Sequence, residues 1–240
     1  MDYVSKKDNF INFTNDNPTV YFMLIDSSGS MDTVEDKVVK ALRLYKKSFD
    51  NFPEKGSISV SVSHFDSDTY LDSFQAIDDL SFDYSTCGAT TLCYSIIEGA
   101  KHLNKYLTEI TEKKNMKAKA VFIVFSDGEP CEDKATFYEA AKEVESLNYQ
   151  GITTVFVAFR DATNKKIGEK LNFQATQDVS NPEDLEVFFG KTLSESCKEA
   201  SRSMKPLGSN FFGAGSQASS AEFSAATQAT IESDDWVDDI

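Results

Sequence analysis

The sequence predicts an α/β fold, a doubly wound and mostly parallel central sheet flanked by helices in the Rossmann-like manner. The main observation is that two uninterrupted apolar runs, 20–25 and 120–125, have the pattern of strands buried on both faces. Segments with helical spacing of apolar residues lie between the predicted strands along the whole chain. Buried strands that alternate with helices favour parallel pairing, with helices on both faces of the sheet.

Five main strands are predicted in this order. They are Val20–Ile25, Ile58–Phe65, Ala120–Phe125, Thr153–Phe159 and the short edge strand Thr176–Val179. The second strand shows strict alternation of apolar residues at Ile58, Val60 and Val62, and Tyr70–Phe74 is a candidate partner for it. Helices are predicted at Thr33–Phe52, Thr90–Leu107, Lys134–Leu147 and Lys165–Leu171, and from Asn181 to about Ser203.

Two of the helix starts have clear capping signals. Thr33 is a fair N-cap, because Glu35 and Asp36 follow it in the first turn, where the helix dipole favours negative charge. Asn181 is followed by Pro182 and acidic residues, a combination typical of a helix start.

The composition divides the chain into three parts. Residues 1–17 form a polar N-terminal arm, residues 18–204 form the α/β domain, and residues 205–240 form a flexible acidic tail. Residues 206–240 contain no Lys or Arg and six acidic residues, a composition that does not support a packed core. The end of this tail sets Trp236 among four Asp residues, so it is either a short recognition motif or a solubilising end.

The overall charge and the hydropathy of the chain exclude some classes of partner. A net charge of −15 argues against nucleic-acid binding, which needs clustered Lys and Arg. We expect no membrane span, since no segment approaches the roughly 20 apolar residues that one requires. The polar N-terminus lacks the apolar core of a signal peptide, and four Cys residues do not make a disulfide scaffold, so we expect a cytoplasmic protein.

The first candidate site follows the first buried strand, where doubly wound folds place their ligands. Asp26, Ser28 and Ser30 are spaced by two, so a loop rising from an extended strand can direct all three side chains to one point. Carboxylate and hydroxyl oxygens suit Mg²⁺ or Ca²⁺ better than Zn²⁺. The alternative is a strand-to-helix turn in which these side chains only satisfy backbone groups.

Two further polar clusters are predicted at the same edge of the sheet. Asp127-Gly128 ends the strand that begins at Ala120, and Gly88-Ala89-Thr90-Thr91 opens a helix. Either cluster alone is common in turns and helix caps. Their coincidence at the carboxyl ends of neighbouring strands is the stronger signal for a metal site.

These clusters resemble the von Willebrand factor A (VWA) family and its metal-ion-dependent adhesion site (MIDAS). The family pattern is Asp-x-Ser-x-Ser, then a Thr in a Gly-Gly-Thr-like turn that opens a helix, then Asp-Gly after an apolar strand. The residues that match it here are Asp26, Ser28, Ser30, Thr90 and Asp127. The resemblance covers residues 18–203, and the stretch 121–130 is most similar to the bacterial TerY-type (tellurite-resistance) branch.

The resemblance implies a metal-dependent protein-interaction module and no enzyme. The ion would be Mg²⁺, with Mn²⁺ or Ca²⁺ as alternatives, and an Asp or Glu of a partner protein would fill its open position. Asp26 and Asp127 commonly act through water in this family. The TerY-type branch further implies kinase- or phosphatase-like partners in a stress-response gene set. Ala89 departs from the usual second Gly, which leaves Thr91 as the alternative ligand to Thr90.

Two other function classes remain as alternatives, a hydrolase-type metal enzyme and a structural subunit that no longer uses metal. A haloacid-dehalogenase phosphatase needs an Asp where Ser28 stands, and neither of the two His residues follows the order of an α/β-hydrolase triad. No phosphate-binding Gly-x-x-x-x-Gly-Lys loop occurs. We expect His64, Asp66 and Asp68 to form a rim loop without a direct role. Cys87, Cys93 and Cys131 are expected to be inert thiols near the metal face.

Overall fold

The computed structural model describes residues 11–128, 130–160 and 165–213. Its strands are β1 (Thr19–Asp26), β2 (Ile58–Phe65), β3 (Thr69–Tyr70), β4 (Gln75–Ala76), β5 (Lys119–Ser126), β6 (Thr153–Phe159) and β7 (Ala175–Val179). Its α-helices are α1 (Glu35–Lys47), α2 (Leu92–Lys114), α3 (Lys134–Tyr149), α4 (Lys165–Lys170), α5 (Leu185–Val187) and α6 (Ser194–Arg202). Short 3₁₀ turns occur at Gly29–Val34, Lys55–Ser57, Ile77–Asp79, Pro182–Asp184 and Gly208–Asn210, and a π-helical segment, Phe188–Leu193, joins α5 to α6.

The strands form one sheet in the order β3-β2-β1-β5-β6-β7, with β4 also paired to β2. The five long strands are parallel, and only β3 and β4 run antiparallel to β2. This confirms the predicted doubly wound, mostly parallel sheet. Strand β1 is central, and all eight of its residues are buried, as its continuous apolar run predicted.

The core consists of two layers, one on each face of the sheet. Alternate residues of β1 serve opposite layers, because successive side chains of a strand point to opposite faces. Tyr21, Met23 and Ile25 pack with α1 and the C-terminal helices. Val20, Phe22 and Leu24 pack with α2 and α3.

Helix α2 approaches the sheet closely at Gly99. A Cβ atom at this position would lie 2.7 Å from Cε1 of Phe22 and 3.3 Å from Cε2 of Phe122. The two phenylalanine rings are stacked with their centroids 5.3 Å apart, so they fill the space under the helix. Glycine therefore lets α2 lie directly on the stacked rings.

The segment after β2 differs from the predicted strand Tyr70–Phe74. It forms two separate two-residue strands, β3 and β4, because side chains occupy the backbone groups between them. The hydroxyl of Ser61 and the ring Nε2 of His102 lie 2.9 and 3.0 Å from the carbonyl oxygen of Asp72, and the Asp72 amide donates to the Ser63 hydroxyl at 3.0 Å.

Three helices differ from the predicted ones at their ends. Thr33 is not an N-cap, because it lies within the 3₁₀ turn Gly29–Val34, and α1 begins only at Glu35. Helix α2 extends beyond the predicted Leu107 to Lys114. Its C-cap is Asn115, whose backbone is left-handed with φ of 54°. The single helix predicted from Asn181 to about Ser203 is instead a succession of 3₁₀, α, π and α segments. Asn181 precedes the first of them, and its side chain donates to the carboxylate of Asp184 rather than capping a backbone amide.

Packing against the domain continues beyond the predicted boundaries. At the N-terminal side, the amide of Thr14 donates to the carbonyl of Gly56 at 3.2 Å. At the C-terminal side, Phe211 is fully buried in the core layer of α1. The Trp236 motif lies outside the described residues. Within the described part of the chain, no helix combines the length and the apolar character needed to cross a membrane.

Candidate metal centre

Three loops meet at the carboxyl edge of the sheet. Asp26 is the last residue of β1, and Asp127 follows the last residue of the neighbouring strand β5. Two backbone hydrogen bonds attach the loop before α2 to the loop after β1: the Gly29 amide donates to the Gly88 carbonyl at 3.1 Å, and the Cys87 amide donates to the Ser27 carbonyl at 2.8 Å. The parallel order of the strands thus brings together segments about 100 residues apart in sequence.

Four of the five predicted ligands form one hydrogen-bonded cluster. The Ser28 amide donates to Oδ1 of Asp26 at 2.9 Å. The hydroxyls of Ser28 and Ser30 lie 3.0 Å apart, and the Ser30 hydroxyl donates to Oδ1 of Asp127 at 2.7 Å. Predicted ligands that are far apart in the sequence are therefore in direct contact.

The fifth predicted ligand, Thr90, lies beside the loop that carries Asp127. Its Oγ1 atom lies 3.4 Å from the point where a Cβ atom on Gly128 would stand, next to Asp127. The hydroxyl of Thr91 is used elsewhere, since it donates to the carbonyl of Asp66 at 2.7 Å. The Thr91 hydroxyl is thus already engaged, whereas the Thr90 hydroxyl lies next to Gly128.

The cluster has a buried floor and an exposed rim. Asp26 has 0% exposure and Ser28 has 2%, whereas Ser30 is exposed. Asp26 therefore lies beneath the surface, whereas Ser30 lies on it. Burial raises the pKa of Asp26 above the usual value for an aspartate, although hydrogen bonds from Ser126 and Ser28 act in the opposite direction.

Three residues that support the cluster were missed in the sequence. The hydroxyl of Ser126 donates to Oδ2 of Asp26 at 2.6 Å, and the hydroxyl of Tyr84 donates to the backbone carbonyl of Asp26 at 2.6 Å. Arg160, directly after β6, contacts Asp127. Ser126 was identifiable as the neighbour of Asp127, but Tyr84 and Arg160 reach the site only through long-range packing and have no local signal.

The guanidinium of Arg160 bridges the two outer parts of the cluster. Its Nη1 atom donates to Oδ2 of Asp127 at 3.0 Å and to the backbone carbonyl of Ser30 at 2.5 Å. Its Nη2 atom donates to the hydroxyl of Thr33 at 2.6 Å. A cationic side chain of the protein thus already contacts two of the predicted ligand residues, the carboxylate of Asp127 and the backbone carbonyl of Ser30.

The other candidate residues lie around the cluster. Cys87 and Cys131 are exposed, while Cys93 is buried, and burial raises its pKa to about 12. His64 is stacked on Tyr70 with ring centroids 4.7 Å apart, and burial lowers its pKa. The carboxylate of Asp66 accepts a hydrogen bond from the amide of Asp68 at 3.0 Å, which stabilises the turn after β2. Within the described ranges, no group of three or more His, Cys, Asp or Glu residues is placed to hold a metal ion, so a metal at this edge would depend on the hydroxyl oxygens as well as on the two carboxylates.

The oxygen atoms present fit a small, hard cation. Mg²⁺ takes oxygen ligands at about 2.0–2.1 Å in octahedral geometry, which sets neighbouring ligands roughly 2.9–3.0 Å apart. The hydroxyls of Ser28 and Ser30 are separated by 3.0 Å, a hydrogen-bond distance that is compatible with this spacing. Neutral hydroxyls with only two carboxylates are also the donor set that the sequence predicted for a hard cation.

The von Willebrand factor type A domain family matches residues 20–201, and the chain belongs to this family. The matched range includes all the elements from β1 to α6 that build the candidate site. A search of curated protein sequences found no significant match.

Solved structures with the same fold include a pilus adhesin, a thread matrix protein and a manganese-loaded protein. The pilus adhesin SpaC of Lactobacillus rhamnosus GG, in an open conformation, has 13% identity and a TM-score of 0.60, covering 78% of this chain and 31% of its own. Proximal thread matrix protein 1 of the mussel byssus has 16% identity and a TM-score of 0.56, covering 73% and 47%. The manganese-loaded TRAP protein of Plasmodium vivax has 20% identity and a TM-score of 0.50, covering 73% and 74%. The chain thus spans less than half the length of the first two, and these identities establish the fold alone.

Proposed function

We propose that this chain is a metal-dependent protein-interaction module with a MIDAS. Asp26, Ser28, Ser30, Thr90 and Asp127 would hold one Mg²⁺, and an Asp or Glu of a partner protein would complete its coordination. The observation that carries the proposal is the contact of Ser28 with Ser30 and of Ser30 with Asp127, immediately above the buried carboxylate of Asp26.

The roles of the residues follow from their positions. Ser28, Ser30 and Thr90 offer neutral oxygens, which leave the charge of a bound cation largely uncompensated. Asp26 supplies negative charge from the buried floor, where Ser126 fixes its orientation. Asp127 supplies negative charge from the side and fixes the Ser30 hydroxyl. When bound, the metal ion supplies a positive charge and an open coordination position for the partner's carboxylate.

The preferred ion is Mg²⁺, with Mn²⁺ and Ca²⁺ as alternatives. The donor set of neutral hydroxyls and two carboxylates suits a hard divalent ion, and Mg²⁺ is the ion that the resemblance to the family's site implies. The similar fold of the manganese-loaded TRAP protein of Plasmodium vivax gives this choice a precedent.

The proposed function is not enzymatic. Both histidines have structural environments: His64 is stacked on Tyr70, and His102 contacts the Asp72 carbonyl and is stacked on Phe74. The hydroxyls of Ser28 and Ser30 are hydrogen-bonded to each other, an arrangement that suits ligands rather than a nucleophile activated by a base.

The setting of the module is proposed from the sequence. The similarity of residues 121–130 to the TerY-type branch supports kinase- or phosphatase-like protein partners and a stress response. The net charge of −15 and the lack of a long apolar segment support a cytoplasmic setting without nucleic-acid or membrane partners. We keep residues 18–204 as the domain and residues 1–17 and 205–240 as its extensions. Because Phe211 is buried, a tail deletion should start at residue 214 rather than 206.

A capture experiment tests the partner side of this proposal. The wild-type chain and the Asp26→Asn variant are immobilised and exposed to cell extract in Mg²⁺ or in EDTA. We expect proteins that are retained by the wild type in Mg²⁺ and released by EDTA, and that the variant does not retain. The control is Asp78→Asn, which removes the same charge from an exposed residue paired with Lys55 near the opposite edge of the sheet. Equal retention in Mg²⁺ and EDTA would show that the ion is not the contact.

A further inference from the structure

Arg160 occupies an unusual position for a cation, because it lies at the edge of a predicted cation site. Its side chain is 31% exposed, whereas the side chain of its partner Asp127 is only 3% exposed. The three groups that it contacts belong to two different loops: Asp127 follows β5, while Ser30 and Thr33 follow β1. Arg160 therefore links the two loops that supply most of the site.

The backbone of Arg160 is also unusual. It has a φ of +63°, a left-handed conformation that non-glycine residues adopt at an energetic cost. The conformation is held by a hydrogen bond from the Arg160 amide to the Val179 carbonyl at 3.0 Å. The guanidinium carbon also lies 5.3 Å from the ring centroid of Phe159. Strained residues that are fixed in this way concentrate at functional sites.

We propose that Arg160 is an internal counter-cation of the metal centre. In the metal-free protein its guanidinium neutralises Asp127 and holds the Ser30 loop against it. When the ion binds, the guanidinium and the ion share the same carboxylate, so each weakens the other's interaction with Asp127. The affinity of the site for Mg²⁺ is then set by Arg160 as well as by the five ligands. This inference rests on the proposed function, because it concerns the same site.

A purely structural role for Arg160 predicts the opposite effect on metal binding. If the guanidinium only positioned Ser30 and Asp127, its removal would loosen two ligands and weaken the affinity for Mg²⁺. If it acts as a competing charge, its removal strengthens the affinity. We expect the charge to dominate, because the Ser30 hydroxyl keeps its own hydrogen bonds to Ser28 and Asp127 without Arg160.

The test is calorimetric titration of Mg²⁺ into the wild type and three variants. Arg160→Met should bind Mg²⁺ at least about tenfold more tightly, which is the repulsion between one unit charge and a divalent ion roughly 6 Å apart at the dielectric constant of water. Arg160→Lys keeps the charge and should bind within a few-fold of the wild type. Arg202→Met is the control, because it removes a half-exposed arginine that stacks over Phe52 near the opposite edge of the sheet. It should leave the affinity unchanged.

Thermal unfolding in EDTA provides a second readout that needs no metal. Arg160→Met should lower Tm more than Arg202→Met does, since it leaves the buried carboxylate of Asp127 without its cation. Unchanged or weaker Mg²⁺ binding by Arg160→Met, beside a wild type that binds, would overturn the inference and leave the proposed function standing. If Arg160→Met binds Mg²⁺ and the wild type does not, Arg160 competes with the ion as inferred, but the wild type is not the metal-dependent module that we propose. Absence of binding in both would overturn both.

Discussion

Ser126 provides a quantitative test of how the buried floor of the site is stabilised. Its hydroxyl donates to Oδ2 of Asp26 at 2.6 Å, and both residues have 0% exposure. Ser126→Ala removes this donor and leaves the buried carboxylate with less compensation for its lost hydration. A hydrogen bond to a charged group contributes about 1.5–3 kcal/mol to stability, so we expect the free energy of unfolding to fall by that amount.

A matched substitution isolates the contribution of the charge. Ser59 is also on a strand and has 0% exposure, but its hydroxyl lies 3.0 Å from the neutral hydroxyl of Tyr106. Ser59→Ala should cost about 0.5–1.5 kcal/mol, the usual range for a neutral hydrogen bond. The difference of about 1 kcal/mol corresponds to a Tm difference of roughly 2–4 °C for a domain of this size.

The assay is urea unfolding of both variants in EDTA, followed by circular dichroism. Both variants should show the wild-type dependence on urea concentration, so that the midpoints report stability. If Ser126→Ala loses no more stability than Ser59→Ala, then Ser126 does not stabilise a charged Asp26, and the account of the floor is wrong.

Three further predictions concern packing, pH and the choice of ligand. Gly99→Ala should lower the free energy of unfolding by about 1–2 kcal/mol in urea unfolding, because the added methyl group overpacks against Phe22. This cost exceeds the gain in helix propensity of up to about 1 kcal/mol. A variant as stable as the wild type, or more stable, would contradict this prediction. Burial lowers the pKa of His64, so the fold favours the neutral imidazole. The contribution of His64 to the stability of the fold is therefore complete above about pH 6.5, and it is lost as the pH falls towards the pKa of the folded state. His64→Gln should therefore lose less stability than the wild type between pH 7.5 and 5.5 in urea unfolding, and an equal loss would refute this. Thr90→Val should weaken Mg²⁺ binding in calorimetry. Thr91→Val should leave Mg²⁺ binding unchanged and lower the free energy of unfolding by about 1 kcal/mol, because it removes the hydrogen bond to the Asp66 carbonyl. The reverse pattern would assign the ligand to Thr91.

The sequence predicted the parts of the fold that depend on local patterns. Strand β1 has an uninterrupted apolar run and helix α3 has helical spacing of apolar residues, and both begin within one residue of the predicted start. Helix ends were less accurate, because they depend on contacts with distant residues. Thr33, for example, looks like an N-cap in isolation, but its hydroxyl accepts a hydrogen bond from Arg160.

The candidate site shows the same division. Asp26, Ser28 and Ser30 were predictable, because their spacing and their place after a buried strand are local features. The contact between Ser30 and Asp127 followed from the parallel order of the strands, which the sequence also indicated. Arg160 could not be predicted, since it reaches the site from a third strand through a left-handed backbone conformation that its sequence does not signal.

The interaction of Mg²⁺ with Asp26 tests the central claim most directly. Calorimetric titration should show a single Mg²⁺ bound per wild-type chain, no measurable binding to Asp26→Asn, and wild-type binding to Asp78→Asn, which keeps the site intact. Asn preserves the shape of the buried side chain, so Asp26→Asn should retain the circular dichroism spectrum of the wild type. Binding of Mg²⁺ to Asp26→Asn with wild-type affinity, or absence of binding to the wild type, would contradict the account of this site as a metal centre.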